Sequence, residues 1–288
     1  MGKILNGYIL PHPPILIPEI GGGREEEAAA TIKAMKKAAK EIAEDKPDTI
    51  ILSSPHAPCF RDYVYFTEKE QLFGSFGGFG HPEVALSFQN NLSLGALIKK
   101  HADHAGIPSG SLSGREKELY GITDILDHGA LVPLYFIQKE WKDFRLVLIS
   151  TPFLPLKEIY RFGQAIGEAV KSTDERIVYV ASGDLSHRLT KEAPAGYHPK
   201  GREYDEKLIE LLEKNQVDEI LQTEEKFMEA AGECGTRSVV MMLGVFNGQQ
   251  EGIKVYHYEG PYGVGYLVAK GILNHQSKEE KEFRDNER

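Results

Sequence analysis

Residues 177–187 read Ile-Val-Tyr-Val-Ala-Ser-Gly-Asp-Leu-Ser-His. The run Ile177–Ala181 is of strand length and apolar throughout, with no polar residue on alternate positions to face water. A strand of this kind needs cover on both faces, as in the parallel sheets of layered α/β proteins. Similar runs occur at Ile4–Leu10, Thr49–Leu52 and Leu146–Ile149. Two more, Lys254–Tyr258 and Val264–Ala269, flank the turn-like Glu259-Gly260-Pro261 and read as an antiparallel hairpin. Helical periodicity fills the gaps. Ile32, Met35, Ala39 and Ile42 share a face of a helix expected over residues 25–44. Ile159, Phe162, Ile166 and Val170 mark a second, and Tyr204, Leu208 and Leu211 a third. Val239, Val240, Leu243 and Phe246 mark a fourth, with Thr236 as its expected N-cap. The pattern predicts an α/β fold: a single domain over residues 1–273 with a central mixed β-sheet covered by helices on both faces. The polar stretch 274–288 reads as a frayed helix or a disordered tail.

Composition narrows the function. Lys and Arg number 34 against 43 Asp and Glu in 288 residues, a formal charge of −9, so the chain lacks the positive field that a nucleic-acid binder needs. No stretch approaches the roughly 18 apolar residues of a membrane span. The N-terminus lacks the long apolar run of a signal peptide. Cys59 and Cys234 are too few for a disulfide framework. These features predict a cytoplasmic enzyme with a small-molecule substrate, bound neither to membrane nor to nucleic acid.

In open α/β sheets ligands bind beyond the carboxyl ends of the strands, so the residues after each run carry the chemistry. Ile4–Leu10 is followed by Pro11-His12-Pro13-Pro14, and the second run by Ser53-Ser54-Pro55-His56-Ala57-Pro58. The run 177–181 leads into Gly183-Asp184-Leu185-Ser186-His187. Flanking prolines restrict the backbone at His12 and His56, and that rigidity suits a metal ligand or a base. One such histidine by itself need only cap a strand; three that a parallel sheet brings to one edge predict a site. Two imidazoles with a carboxylate leave open positions on a metal, and the same set serves catalytic zinc. Glu233, in Gly232-Glu233-Cys234-Gly235-Thr236, is the preferred carboxylate, and Asp184 is its rival. A histidine outside the ligand set can act as general base; His187 fits, with Asp184 three residues earlier to orient it. His128, in Asp127-His128-Gly129-Ala130-Leu131-Val132-Pro133-Leu134, opens a predicted helix. Phe73–His81, with Tyr63 and Tyr65 upstream, reads as an aromatic wall, and Cys59 as a small buried residue.

Four segments in order, P-H-P, S-P-H-A-P, L-D-H-G-A-L-V-P-L and G-D-L-S-H-R-L, resemble those of the class III extradiol ring-cleavage dioxygenases of the catalytic B-subunit type, and of the related Memo-like proteins. The resemblance spans about residues 4–270. It implies a non-haem Fe(II) on His12, His56 and Glu233, an acid/base role for His187 and substrate contact by His128. The Memo-like branch places a cysteine in this region, which makes Cys234 the rival third ligand. The implied reaction is oxidative opening of a catechol-type aromatic with O2, and the resemblance is compatible with a homo-oligomer. The alternative is a Memo-like metal- or ligand-binding protein without ring cleavage. A zinc hydrolase lacks its H-E-x-x-H signature here.

Overall fold

A computed structural model describes residues 1–274. The tail reading for 274–288 therefore lies, but for Asn274, outside the described residues.

In chain order the main elements are β1 (Lys3–Leu10), α1 (Ala29–Asp45), β2 (Thr49–Ser54), β3 (Gln71–Phe76), β4 (His81–Gln89) and α2 (Leu92–His104). Then come α3 (His128–Glu140), β5 (Arg145–Ser150), α4 (Leu156–Lys171), β6 (Arg176–Ser182) and α5 (Lys200–Glu213). The chain closes with α6 (Glu225–Ala231), α7 (Thr236–Phe246), β7 (Gln250–Glu259) and β8 (Tyr266–Leu273).

Six strands form one sheet in the order β5-β2-β6-β1-β8-β7. The first four are parallel, and the closing pair runs antiparallel. The sheet is mixed, as the apolar runs and the terminal hairpin predict. Side chains alternate across it. Tyr8, Leu10, Ile50, Leu52, Val178 and Val180 face α1 and α3. Ile9, Ile51, Ile177, Tyr179 and Ala181 face α2, α4 and α7. Full burial of each Ile, Leu or Val among them contributes roughly 1.5–3 kcal/mol, which favours apolar side chains on both faces. The four predicted helical faces are the buried ones, with Ile32 at the half-buried margin.

Two local expectations give way to backbone geometry. The first helix begins at Ala29, because Arg24–Ala28 wind as a 3-10 turn after two left-handed glycines, Gly22 and Gly23. Thr236 is the first residue of α7, and Gly235 holds the cap position. Among the described residues, no helix is long and apolar enough to cross a membrane.

Strand order places the site. β6 lies between β2 and β1, with Leu10 opposite Ser182 and Ser53 opposite Ala181. The loops that leave these three strands therefore emerge side by side at one edge.

Candidate metal centre

His12 follows β1 and is 1% exposed. Its backbone N–H donates to Asp184 Oδ1 at 2.9 Å, tying the β1 loop to the β6 loop. Its ring Nδ1 lies 2.9 Å from Ser182 Oγ. The Ser182 hydroxyl donates its one proton to the Gly129 carbonyl at 2.5 Å, so it can only accept from His12. The proton of His12 is thereby fixed on Nδ1, and the Nε2 lone pair faces the cleft. This is how a protein orients a ligating imidazole.

Three donor atoms surround that lone pair. His56 Nε2 is 3.0 Å away, Cys234 Sγ 3.6 Å and Asp184 Oδ2 3.7 Å. A ring nitrogen of His128 completes a cluster in which one nitrogen from each of His12, His56 and His128 lies within 4.8 Å of the others. The donor set fits a metal ion. Two imidazole nitrogens bound at about 2.1 Å and at right angles sit about 3.0 Å apart, which is the observed spacing. Their surroundings also favour the neutral imidazole that ligation requires. Burial and neighbouring histidines hold His12 well below the usual histidine range, and burial with His128 lowers His56 to about 4. Burial lowers His128 as well.

Asp184 is buried, and desolvation raises its carboxyl against the opposing pull of His187 and the His12 N–H. His187 donates from Nδ1 to the Gly232 carbonyl at 2.7 Å. Its Nε2 then carries the lone pair, 3.9 Å from Asp184 Oδ2. These groups open into a cleft of about 510 Å³ walled by Pro13, Pro14, Tyr262 and Tyr266.

The structure thus brings together His12, His56, His128, Asp184, His187 and Cys234. Glu233 is engaged elsewhere. Its Oε2 accepts from Thr236 N–H at 2.7 Å and from the Thr236 hydroxyl at 2.5 Å, closing the first turn of α7. Burial raises its carboxyl. The backbone explains why its neighbour, Cys234, lies beside the His12 ring instead. Gly235 packs so close to Gly183 that a Cβ on Gly183 would meet Gly235 Cα at 2.1 Å. That approach lays Cys234 against the β6 loop, where its N–H donates to the Asp184 carbonyl at 3.2 Å. Burial pushes the Cys234 thiol up, with the Asp184 charge adding to it.

Other expectations fail for reasons of packing. Tyr65 turns inward to donate to Asp124, and Tyr63 donates to the Ser111 carbonyl at 3.2 Å, so neither walls the cleft. From residues 73–81, which run through the turn of the β3–β4 hairpin, Phe79 alone among the aromatics meets the cluster, its ring edge-on to His128 at 5.5 Å. Cys59 is exposed and donates to the Thr151 carbonyl at 3.0 Å. Sequence reading missed Ser54 and Ser182, although a signal was there: each closes an apolar strand with a buried hydroxyl.

The loop that carries His187 is held from below. Asp205, fully buried, accepts from Ser186 N–H at 2.8 Å and from the Tyr258 hydroxyl at 2.6 Å. Desolvation raises it to about 7; Tyr258 and Ser186 oppose that, Glu233 adds to it and Arg202 lessens it. A carboxyl raised in the folded state contributes its full stability below the unfolded value near 4. That stability is lost as pH rises through 7. Wild type should therefore lose roughly 4 kcal/mol relative to Asp205→Asn between pH 4 and pH 7, measured by urea denaturation of both proteins across that window. Parallel pH profiles would contradict it.

A family profile described as the catalytic LigB subunit of aromatic ring-opening dioxygenase matches residues 6–269. A Clostridium acetobutylicum protein whose name states no activity is 40% identical over 267 residues. The match covers 92% of this chain but only 57% of that longer relative. The beta subunit of 2-aminophenol 1,6-dioxygenase from Pseudomonas sp is 27% identical over 256 residues, covering 80% of this chain and 81% of the relative. Escherichia coli 3,4-dihydroxyphenylacetate 2,3-dioxygenase is 24% identical over 278 residues, covering 91% and 97%. The fold is also that of the uncharacterized protein JW3007 from Escherichia coli K12, whose crystal structure superposes with a TM-score of 0.59 at 15% identity, covering 92% of this chain and 98% of that one. A profile match running from β1 into β8, over the same histidine-bearing loops, places the chain in the family of the catalytic LigB subunit of aromatic ring-opening dioxygenases.

Proposed function

We propose that the chain is an extradiol ring-cleaving dioxygenase that holds one Fe(II) ion on His12 and His56 and acts on a catechol-type aromatic with O2. The carrying observation is the His12–His56 pair, with the His12 lone pair fixed toward the cleft by Ser182 and Gly129. Asp184 and Cys234 lie within reach as further donors; Glu233 would have to leave Thr236 to join them. When bound, such an ion supplies a Lewis-acidic centre with free positions for both phenolic oxygens and for O2. The balance is simple: the ring bond beside the diol breaks, and both atoms of O2 enter the product as an acid and an aldehyde.

The chain's own residues supply binding and proton movement. His187 Nε2 takes a phenol proton, and the nearby Asp184 carboxylate stabilises the resulting imidazolium. The Gly232 carbonyl holds the ring in place through that change. His128, its ring 4.1 Å from that of His56, contacts the substrate. Tyr262, Tyr266 and the two prolines pack against the aromatic faces.

One observation favours a second reading, a metal-binding protein without ring cleavage. Cys234 Sγ, 3.6 Å from His12 Nε2, makes a nitrogen–nitrogen–sulfur set, which suits copper or zinc better than iron. Anaerobic loading with Fe(II) followed by a panel of catechols and O2 separates the two. Oxygen uptake with a yellow ring-opened product is the expected result, and neither from any catechol overturns the enzyme reading. Metal analysis of Cys234→Ala and Glu233→Ala completes the test: loss in the first with retention in the second, joined to no turnover, establishes the second reading.

A further inference from the structure

The turn Asp127-His128-Gly129 braces all three clustered histidines. It carries His128 itself, and its Gly129 carbonyl fixes the His12 ring through Ser182. The link to His56 runs through Asp127. Asp127 Oδ1 accepts from Ala130 N–H at 3.2 Å, capping α3, and from the Ser54 hydroxyl at 2.6 Å. Ser54 Oγ in turn accepts the backbone N–H of His56 at 3.2 Å. Packing is tight at this point: a Cβ on Gly129 would lie 2.4 Å from Ser54 Oγ and 3.3 Å from His56 Cδ2. An ordinary N-cap leaves its second oxygen in water. Here Asp127 Oδ2 is buried with no hydrogen-bond partner among the described residues, an arrangement that costs stability and that capping alone does not require.

We propose that Asp127 is a positioning residue which, through Ser54, sets the His56 imidazole at the spacing a shared metal ion requires. The inference rests on the reading of His12 and His56 as a metal site. By this account the Asp127–Gly129 turn is a jig. One end holds the tautomer of His12 and the other holds the turn of His56, so the distance between the two rings is set by a single rigid helix start.

Ser54→Ala tests it, because that variant keeps the cap on Ala130 while cutting the tie to His56. In the metal-free protein, imidazole ¹⁵N spectra of Ser54→Ala should show altered His56 ring signals and an unchanged Nδ1–H pattern for His12, with the far-ultraviolet circular dichroism of the folded wild type. Anaerobic Fe(II) affinity should fall about 10- to 100-fold, the scale of lost outer-shell support. Asp127→Asn keeps the accepting oxygen and should hold affinity near wild type, whereas Asp127→Ala should lower it as Ser54→Ala does. Wild-type His56 signals together with wild-type Fe(II) affinity in Ser54→Ala would overturn the proposal. Altered His56 signals in Ser54→Ala alongside a wild-type protein that binds no Fe(II) would instead bring down the metal reading and leave the brace standing.

Discussion

His56→Ala should abolish stoichiometric metal binding while leaving the fold intact. His56 sits at the exposed rim of the cleft, on a loop outside both halves of the core, so its removal opens no cavity. What it takes away is the nitrogen 3.0 Å from His12 Nε2. Loss of an outer-shell partner typically costs 10- to 100-fold in metal affinity, and loss of a ligand itself should exceed about 100-fold on the same scale. Equilibrium dialysis against anaerobic Fe(II), followed by metal analysis, reads the effect directly. A variant that keeps one equivalent of metal at wild-type affinity would remove His56 from the site. His12→Ala is the less clean comparison, since that ring is 1% exposed and bonded to Ser182, and its loss disturbs the sheet edge as well.

His187→Ala has the second-largest expected effect and a different signature. Its ring is anchored away from the His12–His56 pair by the Gly232 carbonyl, and its free nitrogen faces Asp184 at 3.9 Å. Metal content should therefore stay near wild type. A positioned acid or base contributes roughly 10²- to 10⁴-fold, so kcat for catechol opening should fall by that factor, with a smaller change in KM. Steady-state oxygen uptake on the iron-loaded variant measures both. An unchanged kcat would deny His187 the proton-transfer role. Loss of metal would make it a ligand instead.

The parts of this arrangement that could be read from the sequence share one physical origin. Buried parallel strands admit no polar alternation, so Ile50–Leu52 and Ile177–Ala181 announce themselves as unbroken apolar runs. The strand-end rule then points to His12, His56 and His187 without further information. Which side chain lies beside the His12–His56 pair was not legible in this way. Glu233 and Cys234 are neighbours in the chain, and the contact between Gly235 and Gly183, 52 positions apart by number, sets Cys234 rather than Glu233 beside the His12 ring. The aromatic wall was misplaced for a similar reason. Tyr63 and Tyr65 lie close to His56 in sequence, but bonds to Ser111 and Asp124 draw them away. Tyr262 and Tyr266, from the closing hairpin at the far end of the chain, line the cleft. The tautomer of His12 depends on Ser182 and Gly129 together, a relation that no local pattern encodes.

The most direct measurement is anomalous diffraction at the absorption edge of iron from crystals loaded anaerobically with Fe(II). A single peak should appear within about 2.0–2.3 Å of both His12 Nε2 and His56 Nε2, the distance range of imidazole–metal bonds. A protein that takes up the metal elsewhere, with no peak between those two rings, would contradict the central claim.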